Sequence, residues 1–241
     1  MRLVIATALA VTMLTSCVTV KPPINQARGP GWYTVKKSDT LYSIAWRYGL
    51  DYTQLARWNR IDVNSPIHPG QRLRLLQADD KPATAVAGDK TGSTKTPSKA
   101  KGKAITSKRD NASRSANRDP KKWIWPTKGV PLNTFLASRL DRRGVDIAGE
   151  LGQPVYAVAD GMVVYSGNGL AGYGNLIIIK HSDTYLSAYA YCQKRLVQEG
   201  VAVKAGNVVA QMGRRDNTAK LHFEIRRNGK PVDPMKYLPN R

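Results

Sequence analysis

Leu176-Ile177-Ile178-Ile179-Lys180, Tyr185-Leu186-Ser187-Ala188-Tyr189 and Leu221-His222-Phe223-Glu224-Ile225 are the runs whose reading decides the fold of this 241-residue chain. They are short, apolar or alternating, and separated by Gly and by Asn or Asp turns, which marks strands rather than helices. Pro154-Val155-Tyr156-Ala157-Val158 and Gly161-Met162-Val163-Val164-Tyr165-Ser166 read the same way, and Asn228-Gly229 is a hairpin signal. No long helical pattern intervenes, so residues 123–241 are expected to form an antiparallel all-β domain.

Upstream the pattern changes. Tyr33-Thr34-Val35 alternates like a strand. Ser38-Asp39-Thr40 can cap a helix that carries Leu41, Ile44, Ala45 and Tyr48 at helical spacing and ends at Gly49. Thr53 can cap a second helix with Leu55, Ala56 and Trp58, and Gln71-Arg72-Leu73-Arg74-Leu75 returns as a strand after the Pro69-Gly70 turn. Residues 32–76 are thus a small βααβ domain, and the chain as a whole is of the α+β class. Between the domains, residues 77–122 are rich in Lys, Thr, Ser, Ala, Asp and Pro and poor in large apolar side chains. Such a segment cannot bury enough surface to offset its ordering entropy, so it is expected to be a disordered basic linker that lets the last domain roam.

The formal charge of +21 calls for an anionic partner, and nucleic acid is the first class to weigh. The N-terminus argues against it. Met1-Arg2 precedes the apolar run Leu3 to Leu14, too short to span a bilayer permanently and suited to an export signal. Leu14-Thr15-Ser16-Cys17 resembles the bacterial lipobox. The resemblance implies a signal peptide over 1–16, acylation of Cys17, a lipidated tether over 17–31 and sorting to the periplasmic face of the outer membrane of a Gram-negative cell. Cys192 is then left without an intramolecular partner and is expected to be a buried, inert thiol.

The small domain resembles the LysM family through Tyr33-Thr34-Val35-Lys36-Lys37-Ser38-Asp39-Thr40-Leu41, Ile44-Ala45, Tyr48-Gly49, Leu55, Asn59 and Ile67-His68-Pro69-Gly70-Gln71. Ser38 stands where that family usually has Gly. The resemblance implies binding of N-acetylglucosamine-containing glycan, chiefly peptidoglycan, in a shallow groove. Asp39, Thr40 and Leu41 would line one side of it and Asn59, Ile61 and Ile67 the other. For Asn59 a structural role is weighed equally with ligand contact.

The large domain resembles the M23 (LytM-like) zinc endopeptidases through Gly144-Val145-Asp146-Ile147-Ala148, Gly152-Gln153-Pro154-Val155-Tyr156-Ala157, Gly172-Tyr173-Gly174-Asn175 and Leu221-His222-Phe223-Glu224-Ile225. In that family a His four residues before the Asp, the Asp itself and the second His of His-x-His bind zinc, and two further His residues assist the zinc-bound water. Carried over, Asp146 and His222 remain, Arg142 takes the first ligand position, and Tyr191 and Lys220 take the two catalytic positions. A guanidinium has no lone pair to give a metal, and hydrolytic zinc needs three protein ligands and an open position. The resemblance therefore implies a domain without cofactor and without peptidase activity. Asp146, buried without an ion, is expected to pair with Arg142 and Lys220.

Degenerate M23 domains behind a LysM domain and a lipobox resemble the NlpD-type murein hydrolase activators. Ile147-Ala148-Gly149, Gly169 to His181 and Tyr237-Leu238-Pro239 carry that match. It implies a groove (Arg142, Asp146, Tyr191, Lys220, His222) that docks a periplasmic N-acetylmuramyl-L-alanine amidase and relieves its autoinhibition, so that septal peptidoglycan is split and daughter cells separate. Two other readings stay open: a zinc endopeptidase with atypical ligands, and a purely wall-binding structural lipoprotein.

Overall fold

A computed structural model describes residues 31–76, 118–139 and 142–240. The expected signal peptide, Cys17 and most of the linker lie outside the described residues.

The small domain runs β1 (Trp32–Thr34), α1 (Leu41–Tyr48), α2 (Tyr52–Asn59), β2 (Arg72–Arg74), with β1 and β2 antiparallel. Thr40 caps α1 by accepting from the Ser43 amide while the Ser43 hydroxyl accepts from the Thr40 amide, a reciprocal arrangement that satisfies two donors at the helix end. Gly49 closes α1 at φ 65°. The cap of α2 differs from expectation. Asp51, not Thr53, accepts from the amides of Thr53 and Gln54, because a carboxylate answers both the unpaired amides and the positive end of the helix dipole.

The large domain contains β3 (Val145–Ala148), β4 (Pro154–Tyr156), β5 (Gly161–Gly167), β6 (Asn175–Lys180), β7 (Tyr185–Arg195), β8 (Ala202–Val203), β9 (Val208–Met212), β10 (Arg214–Arg215), β11 (Thr218–Arg227) and β12 (Lys230–Val232). The main path of its sheet is β10-β11-β7-β6-β5-β8; β3 and β12 pair with β11, and β9 joins β4 to β7. Its pairings are antiparallel, as expected. The Asn228-Gly229 turn joins β11 to β12, with both residues at positive φ (49° and 74°).

Both faces of the central strands are covered. Ile177 and Ile179 of β6 and Tyr189 of β7 face the domain's own core with Val145, Phe223 and Met212. The alternate residues Leu176, Ile178, Leu186, Ala188 and Ala190 pack in one cluster with Leu41, Ile44, Trp46 and Leu55 of the small domain. Two-sided burial explains why Ile177-Ile178-Ile179 runs without a polar break. The small domain is thus seated on the sheet, a contact that the sequence did not lead one to expect. The seat is stitched by Thr40 Oγ1 donating to the Val164 carbonyl (3.3 Å), Tyr52 Oη donating to Asp183 Oδ1 (3.2 Å) and Arg226 Nη1 donating to the Trp46 carbonyl (2.7 Å). At the far end the β11–β12 turn presses on the α1–α2 turn: a Cβ on Gly229 would lie 2.2 Å from the Leu50 carbonyl oxygen.

The two domains are therefore expected to unfold in a single calorimetric transition. Gly229→Ala, which inserts a methyl group into backbone at the seat, should cost ~1–3 kcal/mol and split that transition in two.

Candidate functional site

Strand alternation places Lys220, His222, Glu224 and Arg226 of β11 on one face, opposite the apolar Leu221, Phe223 and Ile225. β3 lies beside β11 with Asp146 opposite His222, and β7 flanks the other side with Ala190 and Ala188 opposite His222 and Glu224. The two alanines leave room for a row of charges. Lys220 Nζ is 2.9 Å from Asp146 Oδ2, His222 Nδ1 is 2.7 Å from Asp146 Oδ1, and His222 Nε2 is 3.3 Å from Glu224 Oε1. Arg226 Nε is 3.0 Å from Glu224 Oε2, and its guanidinium carbon lies 3.5 Å over the Trp46 ring. Asp146, His222, Glu224 and Arg226 are all buried, so this is a continuous ion-pair ladder in the protein interior. Tyr173 Oη donates to Glu224 Oε1 at 2.7 Å and completes that carboxylate's shell.

The charges set one another's protonation. Burial alone would depress His222, but its bonds to Asp146 and Glu224 outweigh that and raise it from 6.5 to about 9. Burial would raise Glu224, yet Arg226 and His222 hold it down at about 2. Asp146 is likewise lowered against its burial by His222 and Lys220. His222 is therefore an imidazolium donating from both ring nitrogens.

A zinc ion does not fit this donor set. Of the three expected ligand positions only Asp146 and His222 offer lone pairs, fewer than hydrolytic zinc needs, and both oxygens of Asp146 face Lys220 and His222. At the first ligand position Arg142 turns away, donating from Nε (2.9 Å) and Nη2 (2.8 Å) to the Thr134 carbonyl. Of the two cations expected on Asp146, Lys220 is there and Arg142 is not. Arg142 is short of reach because its guanidinium serves the 133–136 loop, whose Asn133 side chain accepts from the Asp146 amide at 2.9 Å.

Tyr191 stands at the edge of the ladder, its ring centroid 5.4 Å from that of His222, with the Arg215 and Lys220 cations 5.5 and 5.8 Å from its centroid. Its φ of 61° is unusual for an aromatic residue and coincides with the irregular pairing of β7 around Cys192. Beside it a cleft of about 460 Å³ is bounded by Tyr191, Leu151, Gln193, Arg214 and Arg215. Cys192 is buried, its thiol donates to the Tyr189 carbonyl at 3.4 Å, and burial pushes it up to about 12. Glu224, Arg226 and Tyr173 had no role in the sequence reading. The period-two spacing Lys220-x-His222-x-Glu224-x-Arg226 was the signal for the first two.

Among the glycan candidates, Asp39, Thr40, Leu41 and Ile67 border one cleft. Asp39 organises its loop, accepting from Tyr33 Oη (2.6 Å) and the Lys36 amide (2.9 Å), and Ser38 before it holds φ 67°, the conformation a glycine would take. Asn59 ties α2 to β2: its amide nitrogen donates to the Leu55 and Arg74 carbonyls (2.8 and 2.9 Å), and its oxygen accepts from the Arg74 amide (2.6 Å). Asn59 and Ile61 do not border the cleft formed by the other four.

The ladder makes stability depend on pH in a definite sense. His222, raised from 6.5 to about 9, contributes fully below 6.5 and loses its contribution as pH rises through 9. Glu224 and Asp146, lowered from 4.5 and 3.8, contribute fully above those values and lose it as pH falls. Unfolding free energy should therefore be highest between about pH 5 and 6.5 and fall by ~2–3 kcal/mol towards pH 9, and His222→Gln should flatten the alkaline limb in denaturant titrations.

Residues 141–234 match peptidase family M23, and residues 33–75 match the LysM domain. The murein hydrolase activator NlpD of Escherichia coli K12 is 39% identical over an alignment covering 87% of this chain and 68% of that protein. The lipoprotein NlpD/LppB homolog of Pseudomonas aeruginosa is 41% identical, covering 88% and 78%. Outer membrane antigenic lipoprotein B of Haemophilus influenzae is 37% identical, covering 86% and 64%. With identity of this order running through both domains, the chain belongs to the NlpD family of murein hydrolase activator lipoproteins.

Proposed function

We propose that this protein is a catalytically inactive, lipid-anchored activator of a periplasmic N-acetylmuramyl-L-alanine amidase, held at the outer membrane through Cys17 and at the wall through its LysM domain. The observation that carries the reading is the Lys220 ammonium seated 2.9 Å from Asp146, where a peptidase would hold its metal. A site in which both metal-competent side chains are consumed by internal ion pairs has no means to activate water, yet it is rigid and shaped. Such a floor serves binding. The part of the face not taken by the LysM seat is the end bounded by Tyr191, Arg214, Arg215 and Leu151, and Leu151 and both arginines are exposed there. Apolar and cationic groups together suit a partner segment that carries a hydrophobic anchor flanked by carboxylates.

Docking at this end would favour the open form of the amidase by differential binding to its two states. The acylated N-terminus keeps the activator in the envelope, and the amidase opened by docking would split septal peptidoglycan so that daughter cells separate.

The test is dye release from labelled peptidoglycan. The protein alone should release none, and an amidase with the protein should release far more than the amidase alone. Stoichiometric zinc together with release by the protein alone overturns the reading. Arg215→Glu, at an exposed rim position, should lower the stimulation about tenfold or more without altering retention on sedimented peptidoglycan, since a charge reversal across a charged contact costs more than 1.4 kcal/mol.

A further inference from the structure

The cleft of the LysM domain is shared with the large domain. Residues 39–42 and the loop at 63–67 form two sides of a cleft of about 710 Å³ whose further wall is the large domain: Met162–Val164 of β5, Lys180 at the end of β6, Asp183 beyond it, and Glu199. The Thr40–Val164 and Tyr52–Asp183 hydrogen bonds of the seat hold the walls in register.

The lining has the chemistry of a sugar site. Val63 and Ile67 face the cleft from one domain and Met162, 38% exposed, from the other. These are apolar surfaces against which the C–H face of a pyranose can pack. Glu199 and Asp183 set carboxylates on the large-domain wall. Glu199 uses Oε1 to accept from the Ser166 amide (3.1 Å), which leaves its second oxygen able to accept from a sugar hydroxyl. Lys180, paired with Asp183 at 2.7 Å, is the cation of the same wall. Carboxylates here disfavour a polyphosphate, whereas hydroxyls and N-acetyl groups meet an acceptor in Glu199 and a donor in Lys180.

We propose that this cleft is a composite glycan site, in which the large domain supplies one wall for a short N-acetylated oligosaccharide and the bound glycan bridges the two domains. The inference rests on the LysM reading of wall binding and adds to it that the M23-like domain recognises glycan. Its consequence is that glycan binding and the seating of LysM on the sheet stabilise each other, because a ligand touching both walls binds the seated arrangement alone.

The experiment is titration of the full chain, purified in detergent, with the tetramer of N-acetylglucosamine, followed by calorimetry or NMR. Glu199→Gln, an exposed and nearly isosteric change, and Met162→Ala should each weaken binding about five- to tenfold, the loss expected for a hydrogen bond to a charged group or a buried apolar contact. The tetramer should also raise the temperature of the shared unfolding transition of both domains. If Ile67→Ala abolishes binding while both large-domain variants bind like the unaltered chain, LysM acts alone and the composite site is wrong, with the wall-binding reading intact. If the unaltered chain does not bind the tetramer, both fall.

Discussion

Asp146 and Glu224 are carboxylates inside a protein, and a buried anion left without compensation costs several kcal/mol. Among the described residues the compensation comes from side chains: Lys220 and His222 on Asp146, His222 and Arg226 on Glu224. Because the ladder shares members, no single pair can be judged by itself. His222 is held charged by two acceptors, and its charge in turn keeps both carboxylates ionised. Coupling of this kind rigidifies the face of β11 and makes it intolerant of partial change.

The ladder also explains how two domains of separate sequence character come to share one interior. Its last member, Arg226, donates to the Trp46 carbonyl and lies flat against the Trp46 ring, so the charge row that starts at the metal position of the peptidase fold ends inside the LysM core. An arginine can do this because its guanidinium stacks and donates at once, which an ammonium cannot. Next to it, Leu186, Ala188 and Ile178 continue the seat as an apolar surface. Remove LysM and that surface, together with Arg226, would face water. The small domain is therefore part of what keeps the site in shape.

Much of this was legible in the residues and some was not. Strands such as Leu176–Lys180 and the Asn228-Gly229 hairpin follow from local periodicity and turn chemistry, which need no knowledge of the rest of the chain. The pairing of Lys220 with Asp146 could also be read directly, since alternation along the strand puts Lys220 and His222 on one face. The course of Arg142 could not. Whether a long side chain reaches Asp146 or a carbonyl at Thr134 depends on a loop whose path the sequence does not betray. The cap of α2 was misplaced on Thr53 because both Asp51 and Thr53 are good capping residues, and only the backbone turn decides between them. The LysM seat was missed for a different reason. Its signal, an isoleucine run with no polar alternation, is ambiguous between a strand buried on both faces and a short buried helix segment, and nothing local says what covers the second face.

That the seat and the degenerate site occupy one face of one sheet limits how a partner can approach. The LysM domain covers the sheet over Ala188 and Arg226, while the other end is rimmed by Tyr191 and Arg215. A protein docking there must come from the β10 side, with the LysM trough facing another direction along the same sheet. The fold thus fixes the rim and the trough relative to each other. A ladder of satisfied charges presents a fixed surface to whatever approaches it. Arg142, held at the Thr134 carbonyl, and Lys220, held on Asp146, thus both contribute to fixing the geometry of this face.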